Sequence, residues 1–154
     1  MRPALLLMVA ALVPSASLAA SPAELFSQRC AMCHQASGAG LPGQFPRIAS
    51  RVASIAQSKT GRHYLALIVL NGMVGSIDVD GQHITGLMPS MAALPDQSLA
   101  DLLNHALQLA PAAKGKKPTV FTASEIAAVR KEGSIGPTAV GKERSKLSAA
   151  GLLP

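Results

Sequence analysis

Cys30-Ala31-Met32-Cys33-His34 decides how this chain of 154 residues is read. Cysteines three positions apart lie on one turn of helix, so both thiols reach the same edge of a flat ligand, and the next residue brings an imidazole alongside. C-x-x-C-H is the spacing at which two thiols take up the vinyl groups of one haem as thioethers while the histidine ligates its iron. What occupies the opposite axial position is then the next question for the rest of the chain.

Other chemistries for these five residues fit less well. A thioredoxin-like C-x-x-C wants a preceding strand and an activated N-terminal thiol, whereas Glu24 to Arg29 reads as helix. Structural zinc normally takes four protein ligands, and the chain has no second C-x-x-C. A purely structural cysteine pair leaves His34 without a role.

The first residues agree with haem attachment. Met1-Arg2-Pro3 is a positive start, Ala4 to Val13 a short apolar core, and Ser17-Leu18-Ala19 supplies small residues at the positions a signal peptidase reads. This pattern predicts a signal peptide over residues 1–19, cleaved after Ala19, with an uncleaved anchor as the alternative. Covalent haem attachment is a reaction of exported bacterial proteins, so the two features point to one compartment, the periplasm. With both cysteines used as thioethers no disulfide remains, and the fold must be held by packing around the porphyrin. Phe26, Phe45, Tyr64 and Phe121 are the only aromatic side chains besides histidine, which suits a core that is largely ligand.

The formal net charge is +6, unevenly spread. Residues 20–113 balance five basic against five acidic side chains, while residues 114–154 carry eight basic and three acidic. Nucleic-acid binding is a poor explanation without an aromatic-basic stripe. An acidic partner protein or an anionic membrane surface explains the basic end better, and a solvated face is the plain alternative.

Ala23 to Cys33 is predicted to be helical, with Ser21-Pro22 as its start. Gly38, Gly40, Pro42 and Gly43 form an irregular loop. Arg62 to Leu70 reads as a buried helix closed by Asn71-Gly72. Ser76 to Val79 and Gln82 to Thr85 alternate about Asp80-Gly81, the strongest short-range hairpin signal. From Asp96, Leu99, Leu102, Leu103, Ala106 and Leu107 fall on one helical face, and Pro111 marks its end. Lys114 to Pro118 is a linker. Thr122-Ala-Ser-Glu125 is a capping box opening a helix from Ala123 to Lys131, and Pro137 can begin another.

Thioether sulfur and imidazole are the usual partners of low-spin haem iron, and methionine raises the potential relative to histidine. The candidates for the second ligand are Met73, Met88 and Met91, with His63, His83 and His105. Met88 in Gly86-Leu87-Met88-Pro89 is favoured because proline stiffens the segment that must hold a weak ligand. Met73 and Met91 read better as core filler.

Over about residues 22–110 the chain resembles the class I cytochromes c, specifically the bacterial periplasmic proteins found beside membrane-bound dehydrogenases and oxidases. Cys30, Cys33 and His34 match the haem motif, Phe26 the aromatic one helical turn before it, Leu87-Met88-Pro89 the axial Met-Pro, and Leu94-Pro95-Asp96 through Leu107 the C-terminal helix. The resemblance implies an all-α fold whose helices pack around one covalent haem c; the turn and capping signals above add a small β-hairpin before the axial methionine and a short helical C-terminal extension that lies outside the common haem fold. Together with the leader pattern and the charge and linker readings above, the resemblance divides the chain into a signal peptide (1–19), a haem domain (20–113) and a basic extension (114–154). First and last helices of the haem domain should cross, bringing Phe26 to Leu102. His105 stands where an aromatic is usual and reads as a helix-contact residue, and Pro95 replaces the usual Ser or Thr.

The same resemblance makes Pro46 the proline whose carbonyl accepts the Nδ1–H of His34, with Pro42 as the alternative. Arg51 and Arg62 become candidates for pairing a haem propionate, with Arg47 behind them. The implied function is one-electron transfer without catalysis, as a free shuttle or as the cytochrome subunit of a dehydrogenase. Its redox partners would be a periplasmic or membrane-bound dehydrogenase and a terminal oxidase. A haem enzyme or gas sensor with an open distal site, served by His83, is the other class of reading. The extension has two readings: docking to a partner subunit, or strapping across the haem module through Phe121, Ile126 and Val129.

Overall fold

The computed structural model describes residues 20–111, 115 and 117–153. The predicted signal peptide lies outside the described residues, as do Lys114 and Lys116 of the predicted linker.

Helix α1 (Pro22–Arg29) starts on a full capping box, in which the Ser21 side chain accepts from the Glu24 amide and the Glu24 carboxylate accepts from the Ser21 amide. The predicted single helix is divided at Cys30, whose φ of −119° departs from the helical value. A new turn, α2 (Ala31–His34), begins there, with the Cys30 carbonyl accepting from the His34 amide at 2.9 Å.

After an irregular loop comes α3 (Arg51–Ile55), a helix too short for its periodicity to be read, and then α4 (Lys59–Asn71). The Ser58 side chain caps α4 and Gly72 ends it. The hairpin is longer than its sequence signal: β1 (Met73–Val79) pairs with β2 (Gln82–Met88) in a register that sets Met73 opposite Met88. Met88 is therefore the last residue of β2, not a residue beyond the hairpin. Asp80 and Gly81 both have positive φ, 52° and 73°. That is the geometry of a two-residue turn matched to strand twist.

Helix α5 (Asp96–Gln108) buries Leu99, Ala100, Leu102, Leu103 and Ala106. It packs against α1, where the Phe26 and His105 rings meet at 4.8 Å between centroids and 42° between planes. His105 is thus a helix-contact residue. Phe26 and Leu102 belong to the same buried core.

The extension folds as α6 (Ala123–Lys131) and α7 (Pro137–Ala149). Its first helix packs on α4 and α5, its second on β1 and α4. Phe121, Ile126, Val129, Val140 and Leu147 are buried in one core with Leu99 and Leu65. The strap reading therefore describes the observed packing, and the boundary near residue 113 separates no second core. Polar ties reinforce it: Arg130 donates to Asp96 at 2.8 Å and to the carbonyls of Ala92 and Leu94, at 2.8 and 2.9 Å. Asn71 accepts at Oδ1 from the Ser134 hydroxyl and the Ile135 amide. Among the described residues, no helix is long and apolar enough to cross a membrane.

Candidate functional site

Helices α1 to α5 and the hairpin enclose a mostly apolar cleft. Cys30, Cys33 and His34 line it, and so do Met73, Met88 and Met91. His63, His83 and His105 are absent from its lining: His63 pairs with Glu132, His83 with Asp78 across the hairpin, and His105 with the Phe26 ring. The second-ligand candidates thus reduce to three sulfurs, and His83, at 66% side-chain exposure, is not placed to serve a distal pocket.

His34 is oriented from behind. Its Nδ1 lies 2.9 Å from the carbonyl oxygen of Pro46. A carbonyl only accepts, so Nδ1 carries the proton and Nε2 the lone pair that a metal requires. Burial lowers the pKa of the imidazole, the bond to Pro46 opposing part of that shift, so the ring favours the neutral form.

The loop that delivers Pro46 depends on Gly40, at φ 68°. A Cβ there would stand 2.5 Å from the Phe45 carbonyl oxygen and 2.6 Å from the Pro46 carbonyl carbon. The carbonyl bonded to His34 is that of Pro46, not Pro42.

The three methionines are held differently. Met73 is buried, with its sulfur 3.9 Å from the Tyr64 hydroxyl. Met91 is fixed through its backbone, donating to the Val69 carbonyl at 2.9 Å. Met88 ends β2 and precedes Pro89, and the Ser90 hydroxyl anchors the following turn to the Leu70 carbonyl at 2.5 Å.

Cys30 does not have the environment of an activated thiol. Burial, with Cys33 beside it, pushes the Cys30 thiol up to about 11. Reactive C-x-x-C pairs depend on the opposite shift.

At the hairpin turn the cleft becomes basic. Arg47 holds both carboxylate oxygens of Asp80, at 2.8 and 2.9 Å, and Arg51 reaches one of them at 3.2 Å. Arg51 is buried and lines the cleft. Arg62 does not. Its guanidinium forks onto Glu125, donates to the carbonyls of Thr119 and Val120, and covers the Phe121 ring at 4.0 Å. The extension packs beside α4 and takes up every nitrogen of that side chain, which corrects its assignment to a propionate. Its counterpart, missed in the sequence, is Arg144 of α7, buried and lining the cleft. Only tertiary packing brings it there, so no local signal marks it.

The cytochrome c family model matches residues 19–110. The chain belongs to the cytochrome c family. It is 42% identical over 131 residues to cytochrome c-552 of Thermus thermophilus, a match covering 83% of this chain and 97% of that protein. A second cytochrome c-552 of the same species matches at 42% over 131 residues, with 83% of this chain and 86% of that protein covered. Coverage of 83% exceeds what residues 1–110 can supply, so the similarity to these class I cytochromes continues into the extension.

Membership implies covalent haem c, and the cleft fits it. Two thiols stand on one turn, a neutral imidazole carries its lone pair on Nε2, sulfur donors share the cleft, and the walls are mostly apolar.

Proposed function

We propose that this cytochrome carries one electron at a time on a haem c bound through Cys30 and Cys33, with His34 and Met88 as axial ligands. The observation that carries the reading is that His34, tied through Nδ1 to Pro46, and Met88, at the end of β2, line one cleft. Haem c supplies an iron that cycles between ferric and ferrous states. The chain's own task is to hold the ligands still, exclude water and keep a route for electrons open.

Each part of that task has its residues. Pro46 fixes the His34 tautomer and ring plane, which strengthens imidazole as a donor. The paired strands and Pro89 stiffen the backbone carrying Met88. Tyr64 engages the Met73 sulfur, which favours Met88 over that neighbour. With His34 and Met88 both donating to the iron, no coordination position would be left for a substrate, so the reading is electron transfer, not catalysis.

Met32, 87% exposed, and Leu87, 64% exposed, stand on the rim of the cleft. In this reading the protein is exported, works in the periplasm and passes electrons from a dehydrogenase to an oxidase. Internal ties already occupy part of the basic excess, since Arg130 pairs with Asp96 within the fold. Lys131 and Lys142 remain on the outer surface for an acidic partner or membrane surface, with Lys146 beside them paired to Glu143.

The test is the absorption spectrum of the purified, matured protein. A haem c spectrum whose ferric form shows the weak far-red sulfur-to-iron charge-transfer band, lost in Met88→Ala, supports the reading. A haem spectrum without that band, together with rapid CO binding by the reduced wild type, would overturn it in favour of a sensor or enzyme.

A further inference from the structure

Four arginines line the cleft, Arg29, Arg47, Arg51 and Arg144, and among the described residues no acidic side chain does. Two of them are buried, Arg51 at 8% exposure and Arg144 at 7%. Guanidinium groups placed together out of water are unfavourable unless negative charge meets them. The carboxylate bonded to this group is Asp80 at the hairpin turn, and Arg47 holds both its oxygens. The Arg144 side chain, by contrast, has a backbone carbonyl for its partner, that of Asp78 at 3.2 Å. Arg47, Arg51 and Arg144 stand together with the Asp80 carboxylate, and among the described residues positive charge exceeds negative at this end of an otherwise apolar cleft. A ligand suited to the cleft is apolar over most of its surface and carries negative charge at that end.

We propose that Arg144, carried by the C-terminal extension, is part of the haem site: with Arg51 it binds the two haem carboxylates and raises the reduction potential. The inference rests on the haem c reading above and deepens it. Arginine suits the role because its planar fork takes a carboxylate through two parallel hydrogen bonds. Burial strengthens the effect, since a positive charge near the iron favours the form with one more electron, and little water is present to screen it. Repulsion between Arg51 and Arg144 contributes to the lowered pKa of Arg51, behind burial itself, so the two groups feel one another. Helix α7 then acts as the wall that closes this end of the cleft, seated on the buried Val140 and Leu147.

The test is a spectroelectrochemical titration of the matured, full-length protein and three variants. Arg144→Gln is expected to shift the reduction equilibrium against a fixed mediator on the order of tenfold toward the ferric form. Arg144→Lys, which keeps the charge, should restore most of it. Val140→Ala, which loosens the same helix without touching charge, should leave the potential in place. A wild-type potential in Arg144→Gln, or an equal shift in Val140→Ala, overturns the proposal while leaving the electron-carrier reading intact. A wild-type protein without haem c overturns both. Should Arg144→Gln fail to fold, redox-difference infrared spectra of the wild type decide: the haem carboxylate bands should respond to arginine ¹⁵N-labelling, and unchanged bands overturn the assignment.

Discussion

Gly72 and Met88 touch through their backbones: a Cβ on Gly72 would stand 2.5 Å from the Met88 carbonyl oxygen and 2.8 Å from the Ser90 amide nitrogen. Gly72 also has a φ of 70°, where side chains are disfavoured. The end of α4 and the methionine segment are thus seated on each other at a point with no room for a methyl group. Gly72→Ala is expected to destabilise the protein by about 2 kcal/mol or more through strain and displacement together. It should also weaken the charge-transfer band, because Met88 moves with its backbone. Denaturant titration and the ferric spectrum check both, and an unaltered band would show that this contact does not position the sulfur.

Three sulfurs line the cleft, and substitution separates them. Met88→Ala should abolish the band and let the reduced protein bind CO, since it opens an axial position. Met73→Leu and Met91→Leu should keep the band and lose no more than about 1.5 kcal/mol, because Leu and Met have similar volumes. A band that disappears in Met73→Leu and survives in Met88→Ala would exchange the two roles.

What could be read from the sequence was what local chemistry determines. Cys30, Cys33 and His34 declare themselves by spacing, the hairpin by Asp80-Gly81, α1 by Ser21-Pro22, and α5 by its spaced leucines. The bond from His34 to Pro46 was legible as well, because a family motif joins the two residues. Arg62 and Arg144 were not. Both are arginines on helices, and which one faces the cleft depends on where the extension lands. Once Phe121 and Glu125 settle against α4, Arg62 is drawn to them, and α7 carries Arg144 to the other side. Pairwise packing over such distances along the chain leaves no periodicity to detect. Five-residue α3 escaped for a related reason, being too short for an amphipathic pattern.

Asp80 gives the acid limb of the stability curve a definite direction. Its bond to Arg47 is the main cause that holds its carboxyl below the ordinary value of ~4. A depressed folded-state pKa stabilises the protein above the unfolded value, and that contribution is lost as pH falls through the folded one. Unfolding followed against pH should therefore show Asp80→Asn less sensitive than the wild type below about pH 4. At neutral pH the variant should lose no more than about 1 kcal/mol, since the pair is well exposed to solvent. Identical acid limbs would mean that other carboxylates govern this range.

Ile126 tests whether the extension and the haem module unfold together. Its side chain is fully buried between α6 and the helices beneath, in the same core as Leu99 of α5. Ile126→Ala removes three carbons from that core and is expected to cost about 3 kcal/mol. Because Arg62, Asn71 and Asp96 also bond to residues of the extension, the loss should lower the midpoint of one cooperative transition. Following the haem absorption and the far-ultraviolet circular dichroism in the same denaturant series makes the distinction. Coincident curves with a shared lower midpoint are expected. If the helical signal of the extension were lost first while the haem absorption stayed native, the extension would be a separately folding strap, and its hold on the cleft weaker than the packing implies.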